Sequence, residues 1–318
     1  MTVKTISSEK ISALSAILEL LQRHEYEFIT ISPASHELVN RRPGNELGRD
    51  LAGIFGWNRP FKPEVAGKEL FALLEQAEAL DFDGNAWRSR LRVSSMAGQL
   101  FLHSAFPTTE ADAIFFGPDT YRFSRVIEQY LALYQPEVRC AVDIGCGSGA
   151  GAILLAQNLP QAQVYGVDIN DKALAFAHAN GVASGFSNLH WKNSNLLREL
   201  QGEFDLIVAN PPYLVDASER AYRHGGGLLG AGISLQIVEA AMNRLAPQGT
   251  LLLYTGIAVV NGEDLFLREV QSMLGGSTMQ YQYREIDPDI FGEELRNPAY
   301  ASVDRLAAVE LIVNKPAR

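Results

Sequence analysis

The sequence predicts an α/β protein: a doubly wound, Rossmann-like sheet of seven mostly parallel strands, preceded by a smaller helical domain and a hairpin. Three observations lead to this prediction. The apolar run 140–144 ends in a glycine-dense turn, which is typical of a buried parallel strand that meets a helix. Apolar strands alternate with helical segments over the rest of the chain, whereas residues 1–85 show mainly helical periodicity.

Residues 1–85 are predicted to form a small helical domain that recognises the substrate. Apolar residues recur at helical spacing over residues 11–21, and a serine is available to cap this helix. A second, short helix is expected to end before Arg42. Further helices are expected over residues 46–55 and 68–80, bounded by glycine- and aspartate-containing turns.

Residues 86–116 are predicted to form a β-hairpin connector. Three arginines alternate with other residues over 87–95, and the pair Ala97-Gly98 turns the chain into a second strand over 99–106. A helical domain followed by a hairpin is compatible with a winged helix. The arginine face would suit phosphates or an acidic protein surface, or it would protect an exposed strand edge. These arginines are Arg88, Arg90 and Arg92.

Residues 117–318 are predicted to form the sheet domain, which begins with an amphipathic helix over 120–134. Strands are expected at 140–144, 163–168, 188–192, 204–209, 250–254, 280–286 and 306–313. Helices are expected between them at 149–159, 171–183, 233–245 and 262–274.

The glycine-dense turn after the first strand indicates a nucleoside-type cofactor. Its sequence, Gly145-Cys-Gly-Ser-Gly-Ala150, also fits the dinucleotide pattern G-x-G-x-x-G/A, so the glycines alone do not identify the ligand. Glycines at a strand-to-helix junction let a ligand pack directly against the backbone. We therefore expect Gly145, Gly147 and Gly149 to contact the cofactor.

One carboxylate favours S-adenosylmethionine (SAM) as this cofactor, and a second is compatible with it. Asp143 precedes the first glycine, where a carboxylate attracts the ammonium and sulfonium groups of SAM but repels a pyrophosphate. Asp168 ends the next strand, where it can accept hydrogen bonds from both ribose hydroxyls, although dinucleotide sites share this feature. Ile169, directly after it, is expected to line the same site.

The segment Asn210-Pro211-Pro212-Tyr213 has no role in hydride transfer and is predicted to be catalytic. Each proline biases the residue before it toward an extended conformation, so the turn is stiff. The Asn210 side-chain carbonyl and the Pro211 backbone carbonyl can accept the two hydrogens of a planar NH2 group, while Tyr213 packs on its π face. These two hydrogen bonds aim the nitrogen lone pair at the methyl carbon of the cofactor. Asn210 is also expected to border the cofactor.

These motifs together resemble class I SAM-dependent methyltransferases of the HemK type, which include glutamine N-methyltransferases acting on peptide release factors. The matching segments are 143–149, 167–168, 204–213 and 117–121. The resemblance implies a methyltransferase sheet closed by an antiparallel hairpin, and it places Thr120 near the cofactor. It also places Asn195 beside the adenine amino group, where such families usually carry an aspartate.

Four functions remain open from the sequence. The first is methyl transfer from SAM to a glutamine amide of a translation protein, such as a release factor or a ribosomal protein. The second is methylation of an exocyclic amine, adenine N6 or guanine N2, in ribosomal or transfer RNA, and the others are a nicotinamide-dependent oxidoreductase and a SAM-binding module without activity. The net charge of −10 disfavours broad, nonspecific nucleic-acid binding.

Composition sets further expectations. No apolar run approaches the length of a membrane span and no signal pattern opens the chain, so we expect a cytoplasmic protein without a membrane partner. The two cysteines and six histidines lack ligand spacing, and no metal is expected. The glycine-rich segment 225–232 is interpreted either as a mobile lid over the acceptor pocket or as an ordinary surface loop.

Overall fold

The amino-terminal part consists mainly of three helices. The computed structural model describes residues 7–108, 110–216, 218–220 and 222–317; the start of the predicted helical domain, residues 1–6, lies outside them. The helices are α1 (Ser8–Arg23), α2 (Pro33–Asn40) and α3 (Pro63–Gln76). Ser7 caps α1 as predicted, because its Oγ accepts the backbone N–H of Lys10 at 3.2 Å.

The helix predicted over 46–55 is wrong. Only a single wide turn, Ala52–Gly56, is helical in this segment. The Asp50 carboxylate accepts the backbone N–H of Gly53 at 2.6 Å. A Cβ built on Gly53 would lie 2.7 Å from the Cα of Gly48, so the two glycines bring the chain into close contact with itself. This local packing replaces the helical hydrogen bonds that the apolar spacing suggested.

The helix predicted over 68–80 is displaced toward the amino terminus. It begins at Pro63, which suits a first helical turn, and it ends at Gln76. Glu78 adopts a positive φ of 52°, which ends the helical path and directs the chain into a strand.

Two short hairpins, rather than one, follow the helices. β1 (Leu80–Phe82) pairs with β2 (Trp87–Ser89), and β3 (Leu91–Met96) pairs with β4 (Gln99–Ser104). The single strand predicted over 87–95 is therefore interrupted at Arg90. The turn at 97–98 is as predicted: both residues have positive φ, which suits the twist of a tight hairpin.

The predicted exposed face of three arginines does not form. Arg92 is buried, with its Nε donating to the Gly56 carbonyl at 3.0 Å and its Nη2 to the Thr30 hydroxyl at 3.4 Å. Arg90 pairs with Asp81 on the neighbouring strand. An alternating sequence does not reveal which face of a strand is exposed to solvent. Here the amino-terminal segments cover the face that carries Arg92.

The predicted doubly wound sheet is confirmed. After α4 (Pro118–Tyr134) come β5 (Cys140–Ile144), α5 (Ala150–Asn158), β6 (Gln163–Asp168), α6 (Asp171–Ser184), β7 (Leu189–Asn193), β8 (Phe204–Ala209), α7 (Gly232–Arg244), β9 (Leu245–Val260), β10 (Glu263–Asp264), α8 (Leu265–Leu274), β11 (Gln280–Asp287) and β12 (Arg305–Asn314). The strand order is β11-β12-β9-β8-β5-β6-β7, with β10 paired to the end of β9.

Strand direction follows the expected pattern. Strands β5 to β9 pair in parallel, and β12 runs antiparallel to both β9 and β11, which confirms the terminal hairpin. β9 is longer than the predicted 250–254 because it pairs with β12 through residue 259. β5 lies between β6 and β8, so the chain order reverses there. The carboxyl ends of these strands open on the crevice where such sheets bind ligands.

A buried asparagine joins the hairpin to the sheet domain. Asn180 on α6 accepts the backbone N–H of Leu102 on β4 at 2.9 Å and donates to the carbonyls of Leu102 at 3.2 Å and Ser148 at 2.8 Å. The Ser15 hydroxyl on α1 also donates to the Ala179 carbonyl at 3.3 Å. The hairpin is thus part of a packed junction rather than a projecting wing, and the boundaries at 85 and 116 stay predictions.

We expect Asn180→Ala to lower the free energy of unfolding by about 2 to 4 kcal/mol, because it leaves buried backbone groups of Leu102 and Ser148 unpaired. Urea denaturation measures this loss. Asn243→Ala is the matched control, since the exposed Asn243 donates only to a carbonyl within its own helix. Equal stability of the two variants would contradict the bridging role of Asn180.

Candidate functional site

One cavity of about 340 Å³ lies at the carboxyl ends of β5, β6 and β8, a size in the range of small-ligand sites. Its walls include every residue that the sequence predicts for the site except Gly149. These lining residues are Thr120, Asp143, Gly145, Gly147, Asp168, Ile169, Asn195, Asn210, Pro211, Pro212 and Tyr213. The strand ends therefore bring the predicted cofactor and catalytic residues around a single space.

Gly149 has a packing role in the structure. Its φ is 81°, and a Cβ built on it would lie 2.8 Å from the Trp191 ring and 3.1 Å from Ala177. A side chain at this position would push α5 away from α6 and from β7. Direct contact of Gly149 with the cofactor stays a prediction.

Asp143 is a buried carboxylate at the floor of the cavity. Its Oδ2 accepts the backbone N–H of Ala152, in the first turn of α5, at 3.0 Å. A Cβ on Gly151 would lie 2.7 Å from the same oxygen, so glycine is needed there. Burial, together with the nearby charge of Asp168, raises the pKa of Asp143 to about 7. A cationic ligand would reverse this effect by favouring the ionised form.

Asp168 is held by the backbone of the glycine turn. Its Oδ2 accepts the N–H of Gly147 at 2.9 Å, and its Oδ1 accepts the N–H of Asn170 at 2.9 Å. Burial raises its pKa, although these bonds act in the opposite direction. Each carboxylate oxygen keeps a lone pair for a further donor, which fits a ribose diol.

Ile169 and Asn195 form the outer rim of the cavity. The Ile169 side chain is 61% exposed, an unusual state for isoleucine that leaves an apolar surface for a flat ring. Asn195 is exposed and borders the same space. Thr120, on the opposite wall, accepts the N–H of Gly117 at 3.2 Å through its hydroxyl and so closes the start of α4.

Asn210 follows β8 directly and borders the cavity. Within the described residues its side-chain amide makes no hydrogen bond, so its carbonyl oxygen is available to a ligand. Pro211 and Pro212, next in the chain, line the same wall. Asp216, the first carboxylate after this turn in the sequence, is bound to Arg220 at 2.6 Å, and this contact lowers its pKa to about 2.

Tyr213 is fixed on three sides. Its hydroxyl donates to Oδ2 of Asp119 at 2.8 Å. Its ring covers Gly256 on β9, where a built Cβ would lie 2.3 Å from the ring. Its backbone carbonyl lies 2.1 Å from a Cβ built on Gly230, whose φ is 99°. Tyr213 is 8% exposed, so the ring presents only an edge or part of one face to the cavity.

The glycine-rich segment 225–232 packs tightly against the turn 210–213, which is predicted to be catalytic. A Cβ on Gly225 would lie 1.8 Å from the Gly230 carbonyl oxygen and 2.7 Å from the Cα of Tyr213. The N–H of Gly225 also donates to the Leu214 carbonyl at 2.9 Å. The glycines at 225 and 230 therefore permit close backbone packing; movement of the segment as a lid stays a prediction.

Sequence reasoning missed several residues of the cavity. Asp119 and Phe291 line it, and Tyr254 supports Asp119 from β9. Asp119 lies in the segment 117–121, whose resemblance signalled a role, but only Thr120 was assigned there. No local pattern marks Phe291 or Tyr254, because each reaches the site only through the fold. Among the described residues no group of three or more possible ligands could hold a metal ion, and no helix has the length and apolarity of a membrane span.

Comparison with known proteins gives consistent matches. A family model described as the methyltransferase small domain matches residues 129–265. A release factor glutamine methyltransferase of Geobacter sulfurreducens is 37% identical over 227 residues, covering 66% of this chain and 73% of that protein. A release factor glutamine methyltransferase of Deinococcus radiodurans is 28% identical over 256 residues, covering 77% of this chain and 86% of that protein. A ribosomal protein uL3 glutamine methyltransferase of Neisseria gonorrhoeae is 35% identical over 137 residues, covering 39% of this chain and 45% of that protein.

We expect SAM affinity to increase as pH rises toward and through about 7. In the free protein the Asp143 carboxyl is protonated below its pKa of about 7, whereas a cationic ligand binds the ionised form. Affinity should therefore fall by up to about tenfold per pH unit below that pKa. Isothermal titration calorimetry at several pH values measures this dependence.

Asp143→Asn serves as the control for that experiment, since the amino group of the ligand also titrates and does so equally with both proteins. The variant should bind SAM more weakly at neutral pH and lose the part of the pH dependence that belongs to Asp143. An identical pH dependence in both proteins would show that Asp143 does not sense the ligand charge.

Proposed function

This chain belongs to the family of SAM-dependent methyltransferases that includes the release factor glutamine methyltransferases, and we propose that it methylates the side-chain amide nitrogen of a protein glutamine. Its cofactor is SAM, and the sequence-based alternative of a nicotinamide-dependent oxidoreductase is dropped. The observation that carries the substrate proposal is the Asn210 amide, which has no partner within the described part of the chain and lies at the edge of the cavity that Asp143 and Asp168 also line.

The residues around the cavity fit SAM in charge and shape. Asp143 supplies a buried negative charge for the methionine end, and Asp168 offers two free acceptor positions for the ribose. Ile169 and Asn195 frame the rim where an adenine would lie. When bound, SAM supplies an electrophilic methyl carbon attached to a positively charged sulfur.

In the proposed reaction the chain positions the acceptor nitrogen rather than deprotonating it first. The Asn210 and Pro211 carbonyls accept the two amide hydrogens, so the lone pair points at the methyl carbon. The nitrogen–carbon bond forms as the carbon–sulfur bond breaks, and sulfur keeps the electron pair as a neutral thioether. The positive charge passes to nitrogen, where the two carbonyl dipoles stabilise it until a proton leaves to water.

A glutamine acceptor is favoured over an RNA base by the surface of the amino-terminal part. The proposed phosphate-binding face depended on three exposed arginines, and Arg92 is buried while Arg90 is paired with Asp81. The remaining Arg88 cannot supply the several phosphate contacts that nucleic-acid binding requires. The relatives reported above carry names that specify protein glutamines, in release factors or in uL3. An acceptor of this kind would place the enzyme in the cytoplasm.

The acceptor is tested by incubating the enzyme with methyl-labelled SAM and, separately, purified release factor, purified uL3 and ribosomal RNA. We expect label in a protein, located on a glutamine side chain by tandem mass spectrometry. Label that is released by nuclease instead of protease would overturn the glutamine proposal while leaving methyl transfer intact.

We expect Asn210→Ala to lower kcat by about 10²- to 10³-fold, the usual effect of losing one group that stabilises developing charge, with little change in SAM affinity. Asn210→Asp is the matched variant: it keeps an acceptor oxygen of similar size and should retain more activity than Asn210→Ala. Steady-state kinetics with the labelled acceptor measures both. A wild-type kcat in Asn210→Ala would show that the Asn210 carbonyl does not accept an amide hydrogen of the substrate during catalysis.

A further inference from the structure

We propose that Asp119 is a positioning residue for methyl transfer, acting through the hydroxyl of Tyr213 to fix the catalytic turn. This inference rests on the proposed function of residues 210–213. Asp119 lies on α4, 94 positions before Tyr213 in the sequence, yet its Oδ2 accepts the Tyr213 hydroxyl at 2.8 Å. The interaction is the polar anchor of a side chain that is otherwise held by packing alone.

The carboxylate is itself rigidly held. Asp119 is 2% exposed, and its Oδ1 accepts the Tyr254 hydroxyl at 2.7 Å and Nη1 of Arg122 at 3.0 Å. The second amino group of Arg122 donates to Oδ2 of Asp287 at 3.0 Å, at the end of β11. Three donors to one buried carboxylate fix its orientation, because rotation of the carboxyl group would break all three bonds.

This network connects three elements to the catalytic turn. Asp119 and Arg122 belong to α4, Tyr254 to β9, Asp287 to β11, and Tyr213 to the turn itself. The rest of the turn rests on packing, with the Tyr213 ring on Gly256 and its carbonyl beside Gly230. Packing of the ring on Gly256 limits movement of Tyr213 toward β9, and the bond to Asp119 adds a directional restraint on its hydroxyl.

The consequence for catalysis is geometric. Asn210 and Tyr213 lie in one segment stiffened by two prolines, so a displacement of the Tyr213 backbone is passed along the segment to Asn210. A displacement of about 1 Å at a reacting group costs on the order of 10²-fold in rate. The Asn210 side chain makes no hydrogen bond within the described part of the chain, so no bond of its own opposes such a displacement.

The test is a double-mutant cycle with Tyr213→Phe, Asp119→Ala and the combination of both. Each single variant should lower kcat by about 10- to 100-fold with little change in SAM affinity, and the double variant should be no slower than the slower single variant. Tyr130→Phe is the control: Tyr130 is also a buried tyrosine, and it donates to the Thr250 hydroxyl at 2.8 Å. It should keep wild-type kcat.

Hydrogen exchange provides a readout that needs no acceptor. With SAM bound, the amides of residues 213–215 should exchange faster in Tyr213→Phe and in Asp119→Ala, and to the same extent in the double variant, but not in Tyr130→Phe. If the wild-type enzyme methylates no glutamine, the proposed function fails. The exchange pattern still tests whether the bond between Asp119 and Tyr213 fixes the turn. If Asp119→Ala does not fold, the proposal is tested by comparing kcat and hydrogen exchange between Tyr213→Phe and Tyr130→Phe.

Three results would overturn the proposal. Wild-type kcat and wild-type exchange in Tyr213→Phe would show that the hydroxyl does not fix the turn. Multiplicative losses in the double variant would show that the two residues act separately. A changed pH dependence of kcat in Asp119→Ala would make Asp119 a proton acceptor rather than a positioning residue.

Discussion

The site depends on one constraint, the parallel alignment of β5, β6 and β8, which makes their carboxyl ends meet at one edge of the sheet. Asp143, Asp168 and Asn210 lie at or directly beyond these ends, although 67 positions separate the first from the last. Parallel strands force this convergence because every crossover helix returns the chain to the opposite edge. The carboxylates predicted to bind the cofactor and the acceptor proposed for a planar nitrogen therefore owe their proximity to the same topological feature.

The convergence has an electrostatic cost that the fold partly offsets. Asp143 and Asp168 both lie in a buried region, so burial raises the pKa of each, and the charge of Asp168 raises the pKa of Asp143 further. Backbone N–H groups of Ala152, Gly147 and Asn170 compensate in part. A positively charged ligand would complete the compensation, which agrees with SAM as the cofactor.

Short-range signals predicted most of the sheet and the residues at its strand ends. The strand at 204–209 has the predicted bounds because the apolar run 206–209 is buried within the sheet. The helix at 46–55 could not be excluded, because the contact between Gly48 and Gly53 depends on chain folding rather than on spacing. Burial of Arg92 was equally invisible, since it depends on Gly56 and Thr30 from distant segments.

The junction at Asn180 has a thermodynamic consequence. One side chain makes three hydrogen bonds, two to Leu102 in the hairpin and one to Ser148 in the glycine turn, so neither residue can shift without straining them. Ser148 also lines the cavity, so its position is coupled to that of the buried Leu102 on β4. Such coupling is reciprocal: if a displacement of β4 changes the affinity of a ligand in the cavity, that ligand changes the equilibrium of the displacement by the same factor.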